Sequence, residues 1–408
     1  MGSLKRQRLC EPTTLMSLGD DMLAEILRRL PSQPSLARAA FACPRLLSVA
    51  SSSVANHFIS PAALLGYFIS VNGGDIPSFH RALLRSNPAI VRRGDFLLAD
   101  FEEYDWRLMD CRNGLLLLAS SRSLVVFDPV SSSRLSIPHY LSNGFGRSAS
   151  VHCFLLCCGG VTASFRVVCL QGTGRGGVRA HVYSSCTGEW CSHSPAPKGI
   201  KPPHKSYEYQ PMHAGRRIYW RTRQETLTSL HVGSMVFSHQ ALPDNLCYSS
   251  LLSYSLGDME DGTTCLVAVS TKKRFHCRMQ VWFLKEEEGS SSWEMQWSVH
   301  ASEWYLLRHV PRMVRICDVT AGVLLICMGY EKFGIRYRAF RLKDTDTFRK
   351  DNTKRQPLCI ADFLTSPGLV HPYFMSWPRL SLKAIGSTKK DCTSEQEAAA
   401  ASNKKKQV

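Results

Sequence analysis

Four groupings in the sequence have residue types that could support chemistry. Gly172, Gly174 and Gly177 stand at the G-x-G-x-x-G spacing that lets a backbone approach a pyrophosphate. The apolar alternation of Val178 to Tyr183 follows them, however, and a strand offers no helix N-terminus to the phosphates. The stretch reads as a hairpin loop. Asp344 and Asp346 could chelate a cation, but Thr345, Thr347, Lys343 and Arg349 around them mark a solvated turn. The closest cysteine groupings among sixteen are Cys153 with Cys157 and Cys158, and Cys186 with Cys191, and neither is followed by a matching Cys or His pair. Cys169, Cys265, Cys317 and Cys327 sit in apolar runs, where a free thiol behaves as a small buried hydrophobe. The 14 histidines are scattered; His152, His181 and His231 fall on strand patterns and read as hydrogen-bonded core or edge residues. With no G-x-S-x-G, H-E-x-x-H or P-loop, the expectation is a non-catalytic protein with no cofactor and no metal.

The strongest signal is a helix whose pattern points to a partner. Between Leu15 and Ser52, Met22, Leu23, Ile26, Leu27 and Leu30 recur at helical spacing on one stripe, with Asp21, Glu25 and Arg29 largely off it. Asp20 and Asp21 suit the positive end of the macrodipole, Arg28 and Arg29 the negative end, and Pro31 ends the helix. A second helix is expected from Ser35 through Leu36, Ala39 and Ala40 to about Ala42, and a third from Pro44 through Leu46, Leu47, Val49 and Ala50. Three short helices in roughly forty residues bury little surface and call for a neighbour.

This segment resembles an F-box. The family pattern of an acidic pair, a hydrophobic pair and Glu-Ile-Leu is met by Leu18, Asp20, Asp21, Met22, Leu23, Glu25, Ile26 and Leu27, and Leu30, Pro31, Ser35, Leu36 and Cys43 also match. Gly19 stands where the family has proline, and Leu46 where it usually has tryptophan. These departures reduce pre-organisation of the helix entry and apolar area. The resemblance implies that Leu18, Gly19, Asp21, Met22, Leu23, Ile26, Leu27, Leu30, Pro31 and Leu36 bind a Skp-type adaptor and through it a cullin, while the rest of the chain holds a protein to be ubiquitinated. A plain helical subdomain packed on the body is the competing reading.

With 44% hydrophobic and 20% charged residues, the 408-residue chain can bury a sizeable core. The opening residues lack the apolar run of a secretory signal, and Arg6 stands where a myristoylation signal wants Ser or Thr. No run reaches the ~18 apolar residues of a membrane span, and no Asn-x-Ser/Thr sequon occurs. A soluble protein of the nucleus or cytoplasm is expected. Residues 1–14 and 387–408 read as disordered basic ends, 15–58 as the helical domain, and Ser60 to Leu64 as a linker into a body spanning 61–380.

In that body the period changes from 3.6 to 2. Short runs such as Leu115–Ala119, Leu124–Phe127, Phe165–Leu170, Ile218–Thr222, Cys265–Ser270 and Val323–Met328 are rich in Val, Leu and aromatics. Asn113-Gly114, Gly176-Gly177 and Asp261-Gly262 are turn candidates. The strand-turn phrase repeats with Phe127, Tyr183, His231, Trp282 and Phe340 as markers, at steps of 56, 48, 51 and 58, near the ~50-residue period of kelch-type blades. A sixth unit is placed at Tyr67. The fold class expected is therefore α+β by segments: a small three-helix F-box, then a mainly β domain, a degenerate six-bladed β-propeller, with a pair of sandwiches as the rival. The body also resembles the β-rich half that accompanies plant F-boxes, in the stretches Asp105–Leu118 and Leu124–Pro129. The aromatic segment His371 to Pro378 is expected to close the ring near Tyr67 and Phe68.

The net charge of +17 is spread, with clusters at Lys5 to Arg8, Arg92-Arg93, Arg216-Arg217, Lys272 to Arg274 and Lys404 to Lys406. Such a body attracts acidic partners. Without an RNA-binding signature or a reading helix, a nucleic-acid-associated protein is the minor alternative, beside a propeller scaffold or a peptide- or carbohydrate-binding module.

Overall fold

The computed structural model describes residues 15–30, 39–40, 42–50, 63–71, 76–82, 94–101, 106–121, 123–138, 151–158, 164–173, 177–203, 211–221, 227–243, 246, 252–271, 277–287, 290–300, 313–330, 334–342, 359–364, 368–375 and 382. They fall into two compact units that divide at Ala62/Ala63.

The first unit contains helix α1 (Asp20–Arg28) and helix α2 (Pro44–Val49). The start of α2 at Pro44 is the position expected of a residue with fixed φ and no N–H to satisfy. Of the expected second helix, Ala39, Ala40 and Ala42 are described: the first two are helical and Ala42 stands in a turn; Pro31, Ser35 and Leu36 lie outside the described residues.

The second unit is built of six antiparallel sheets. Blade 1 joins β1 (Ala63–Val71) and β2 (Ser78–Arg81) to β23 (Gly368–Met375). Blade 2 is β3 (Arg107–Arg112), β4 (Leu115–Ala119), β5 (Leu124–Asp128) and β6 (Ser133–Ile137). Blade 3 is β7 (Val151–Cys158), β8 (Ser164–Gly172), β9 (Val178–Ser184) and β10 (Glu189–Ser192). Blade 4 is β11 (Met212–Ala214), β12 (Arg217–Arg221), β13 (Leu227–His231) and β14 (Val236–Gln240). Blade 5 is β15 (Leu252–Asp258), β16 (Thr264–Thr271), β17 (Cys277–Glu287) and β18 (Ser290–His300). Blade 6 is β19 (Met313–Thr320), β20 (Val323–Tyr330), β21 (Gly334–Arg341) and β22 (Cys359–Leu364).

Blades 2 to 6 are each a four-stranded meander, so their faces must be buried between neighbours rather than within one sheet. Leu117, Val126 and Leu155 share one such layer between blades 2 and 3, while Val168, Trp220 and Leu230 share the next. Tyr219, Leu256 and Trp282 fill the layer between blades 4 and 5, and Val267, Val281 and Leu324 that between blades 5 and 6. A six-bladed β-propeller results, and the sandwich rival is excluded.

The turns follow the expected chemistry. Asn113 and Gly114 both take positive φ, 50° and 77°, which a two-residue hairpin requires. Gly172 ends β8 and Val178 opens β9, with Thr173 N donating to Gly177 O at 2.8 Å, so the G-x-G-x-x-G stretch is a hairpin connection. Asp344, Asp346, Arg92, Arg93 and Lys272 to Arg274 lie outside the described residues, as do 1–14 and 387–408.

Three expectations need correction. Phe127, Tyr183, His231, Trp282 and Phe340 all lie on the third strand of their blades, but Tyr67 lies on the second strand of blade 1. The equivalent position is on β2, at Phe79, 48 residues before Phe127. The phase slipped because blade 1 takes its innermost strand, β23, from a segment some 300 residues away. The linker is also shorter than expected, since Ala63 and Leu64 already belong to β1. Cys317 is half-buried, not in the core, because a bulge between Ile316 and Asp318 sets it out of register; Cys169, Cys265 and Cys327 are buried as expected.

Candidate functional site: an exposed helix edge and the hub of the propeller

Helix α1 begins at Gly19, whose carbonyl accepts the first helical bond from Leu23 N at 3.0 Å. No side chain caps it. Arg45 of α2 ties down the start instead, donating to Asp20 Oδ1 at 2.7 Å and to the Leu18 carbonyl at 2.7 Å. Glu25 holds Arg28 at 3.0 Å and Arg29 at 2.9 Å, and these two hydrogen-bonded cations lower its carboxyl pKa.

The five-residue stripe does not act as one face. Leu23, Ala24 and Leu27 point into a small core with Ala40, Leu46, Val49 and Ala50, against which Leu18, Leu30 and Cys43 are packed half-buried. Met22 and Ile26 remain 57% and 38% exposed, and Leu15 is exposed as well. At ~100° per residue, Leu23, Ala24 and Leu27 centre the buried side well past Met22 and Ile26, so the apolar arc is wider than the core it meets. Asp21 and Gly19 are exposed beside that free edge. Leu46, standing at the tryptophan position, is buried in the same core.

In the second unit, the innermost strands carry an unusual density of polar groups. Asp110 on β3 accepts a bond from Leu155 N on β7 (2.8 Å), Met212 Sδ on β11 from Leu256 N on β15 (3.3 Å), and Ser253 Oγ on β15 from Ile316 N on β19 (2.9 Å). The same device, a side-chain acceptor on one inner strand for a backbone N–H of the next, recurs around the ring. It satisfies amides that the blade's own ladder leaves over.

Arg112 of blade 2 is the hub of this region. Its Nε lies 3.9 Å from Asp110 Oδ1, and its charge acts on His213 of blade 4, Asp258 of blade 5, Asp318 of blade 6 and His371 of blade 1. Burial, then the Arg112 charge, holds the His213 pKa well below its ordinary range. Both His213 ring nitrogens are buried without a hydrogen-bond partner among the described residues. Burial likewise lowers His371, while it pushes the Asp318 carboxyl up to about 6 against the opposing bond from Thr320 (2.7 Å) and the Arg112 charge. No group of three or more His, Cys, Asp or Glu suited to a metal occurs among the described residues.

Of the expected histidines, His181 is buried and bonded to Ser192 Oγ (3.1 Å) and Gln171 Oε1 (3.2 Å), and His231 accepts from Ser234 N (3.0 Å) in a hairpin turn. Cys153 and Cys169 face one another across β7 and β8, both buried, with Sγ atoms 2.6 Å apart. The hub residues Arg112, His213, Asp318 and His371 had no local signal beyond charged side chains interrupting apolar strands.

A model of the family described as "F-box protein AT5G49610-like, beta-propeller" matches residues 107–311, from the first residue of β3 to just before β19. None of the curated proteins matches the chain. Solved structures it is similar to include the WD40 domain of SCAP from fission yeast (11% identity, TM-score 0.34, 65% of this chain and 56% of that one). A mitotic checkpoint complex matches at 12% identity and TM-score 0.31, over 58% of this chain and 60% of that one. The SapL1 lectin in complex with α-methyl fucoside matches at 13% identity and TM-score 0.36, over 69% and 92%. The chain thus spans less than two thirds of the first two structures. No described helix is long and apolar enough to cross a membrane. By its match through blades 2 to 5, the chain belongs to the F-box protein AT5G49610-like β-propeller family.

Proposed function

We propose that this chain is a non-catalytic substrate-recognition subunit of an SCF-type cullin ubiquitin ligase. Residues 15–58 bind a Skp-type adaptor, and the propeller, 61–380, holds the protein to be ubiquitinated. The observation that carries this reading is the exposed apolar edge of α1, Met22 and Ile26, in a chain whose propeller belongs to an F-box family. An exposed apolar pair on a short helix suits insertion into a groove on a partner, each buried side chain contributing roughly 1.5–3 kcal/mol. Leu18, Gly19, Asp21 and Leu30 flank that edge, and Leu23 and Leu27 hold it in position from the core side.

The test is co-purification of the full chain with a Skp-type adaptor. Met22→Asp with Ile26→Asp abolishes capture while leaving the thermal transition unchanged. Leu27→Asp is not a fair probe, because Leu27 is 2% exposed in the unit's own core and the change unfolds it. Undiminished capture of adaptor by the Met22/Ile26 double variant overturns the assignment.

A further inference from the structure

The two ends of the propeller differ in charge. At one end the first strand of each blade begins, the second ends and the third begins. Among the described residues, those within two positions of the strand termini at that end include Arg107, Arg179, Arg221, Arg278, Arg315 and Arg336, and one carboxylate residue, Asp362. At the opposite end, acids such as Asp128, Glu189, Asp258 and Glu286 match the bases in number. Lys198 and Lys201, both exposed on the connection from β10 to β11, add to the first end, where Trp220 Nε1 donates to the Lys201 carbonyl at 2.9 Å.

We propose that this arginine-bearing end is a docking surface for an acidic, extended segment of a protein substrate, a proposal that rests on the substrate-receptor reading above. The arginines come from five successive blades, 2 to 6, so a compact anion reaches one or two of them while an extended polyanionic chain reaches several. Arg221 is held in place over the Tyr254 ring, 4.5 Å from its centroid. Arg179 and Arg278 are exposed and take part in no ion pair among the described residues. The described rings near these arginines, such as Trp106, Trp220 and Tyr254, are buried. They offer no platform for stacked bases, which favours a peptide over single-stranded nucleic acid.

The test is fluorescence anisotropy of a labelled octaglutamate peptide with the full chain, at low and at raised salt. The peptide binds saturably, binding weakens with salt, and Arg179→Glu with Arg278→Glu lowers affinity about tenfold or more. Arg134→Glu, an exposed arginine at the opposite end, leaves affinity unchanged. Thermal midpoints verify folding; if the double reversal does not fold, Arg179→Gln with Arg278→Gln replaces it, with a smaller loss expected. Absence of saturable binding, or an equal loss in the Arg134 variant, overturns the proposal. Tighter, arginine-dependent binding of a single-stranded oligonucleotide of equal charge makes the surface a nucleic-acid site instead. The assay needs no adaptor, so peptide binding by a chain that fails to capture adaptor keeps this surface and rejects the ligase assignment.

Discussion

The hydroxyl of Tyr373 donates a 3.0 Å hydrogen bond to the carbonyl of Gly114, across 259 positions of sequence. Tyr373 lies on β23, which pairs with β1 so that Tyr67 faces Pro372 and Phe68 faces His371. Its ring is fully buried, 5.8 Å from Phe68 and 5.3 Å from Phe96, and Phe79 completes the cluster at 4.9 Å from Phe68 and 4.6 Å from Phe96. On the other side, Gly368 N donates to Tyr337 Oη at 3.2 Å, so β23 is bonded to both neighbouring blades.

Loss of this strand opens the ring. A chain ended before His371 exposes the aromatic cluster and the edge of β1, and aggregates; one lacking residues 1 to 58 stays soluble with a single thermal transition. Tyr373→Phe, which keeps the ring and removes the bond, costs about 1–2 kcal/mol. Size-exclusion chromatography and thermal melts read all three, and an unaltered melt for the His371 truncation rules out closure by β23.

Gly257 is where β15 comes closest to β19: a Cβ there collides with the backbone carbonyl of Val319. Gly257→Ala must push two blades apart and is expected to cost about 1–3 kcal/mol. Denaturant unfolding should show a lower midpoint with an unchanged slope.

The hub makes stability depend on pH. His213 binds a proton less readily folded than unfolded, so its contribution is complete above its ordinary pKa of 6.5 and is lost as pH falls below that value. Asp318 has the opposite sign: its raised pKa, about 6, makes its ionisation unfavourable to the fold as pH rises from 3.8 through 6. His213→Leu therefore narrows the stability loss between pH 7 and 5. Asp318→Asn is expected to stabilise the protein at pH 7 by roughly 1 kcal/mol, discounted for partial exposure. Chemical denaturation at the two pH values separates the two, and a His213→Leu variant with the wild-type pH dependence removes His213 from the account.

Gly19 at the start of α1 has φ −64° and ψ 159°, and no atom lies within 4 Å of where its Cβ would be. Proline fits that φ without strain. Gly19→Pro should therefore stabilise the folded helix entry by about 0.4–1 kcal/mol and strengthen adaptor binding accordingly. Titration calorimetry against the adaptor measures it; a weaker interaction would mean that the helix entry rearranges on docking.

Strands such as Leu115–Ala119 were legible because a short apolar run bounded by an Asn-Gly turn is a local signal, and His371 to Met375 because so many aromatics are costly to leave in water. The identity of blade 1 was not, since its strands come from two distant segments and no linear repeat contains both. On α1, the sequence shows how wide the apolar arc is but not which part the neighbouring helix covers, so Ile26 and Leu27 looked alike and are not. The meeting of Arg112 with His213, Asp258, Asp318 and His371 arises only when the ring shuts. Residues a hundred or more positions apart carry no spacing that could announce it.

The order of strands also governs when the protein can finish folding. During synthesis α1 emerges ahead of β1 and β2, and these two appear without the innermost strand of their blade. Blades 2 to 6 can stack one on another as they appear, but Phe68, Phe79 and the edge of β1 must wait until β23 has been made. For most of its translation the nascent chain therefore displays an aromatic face and an unpaired edge at once, which makes this interval its greatest exposure to misassembly and to chaperone capture.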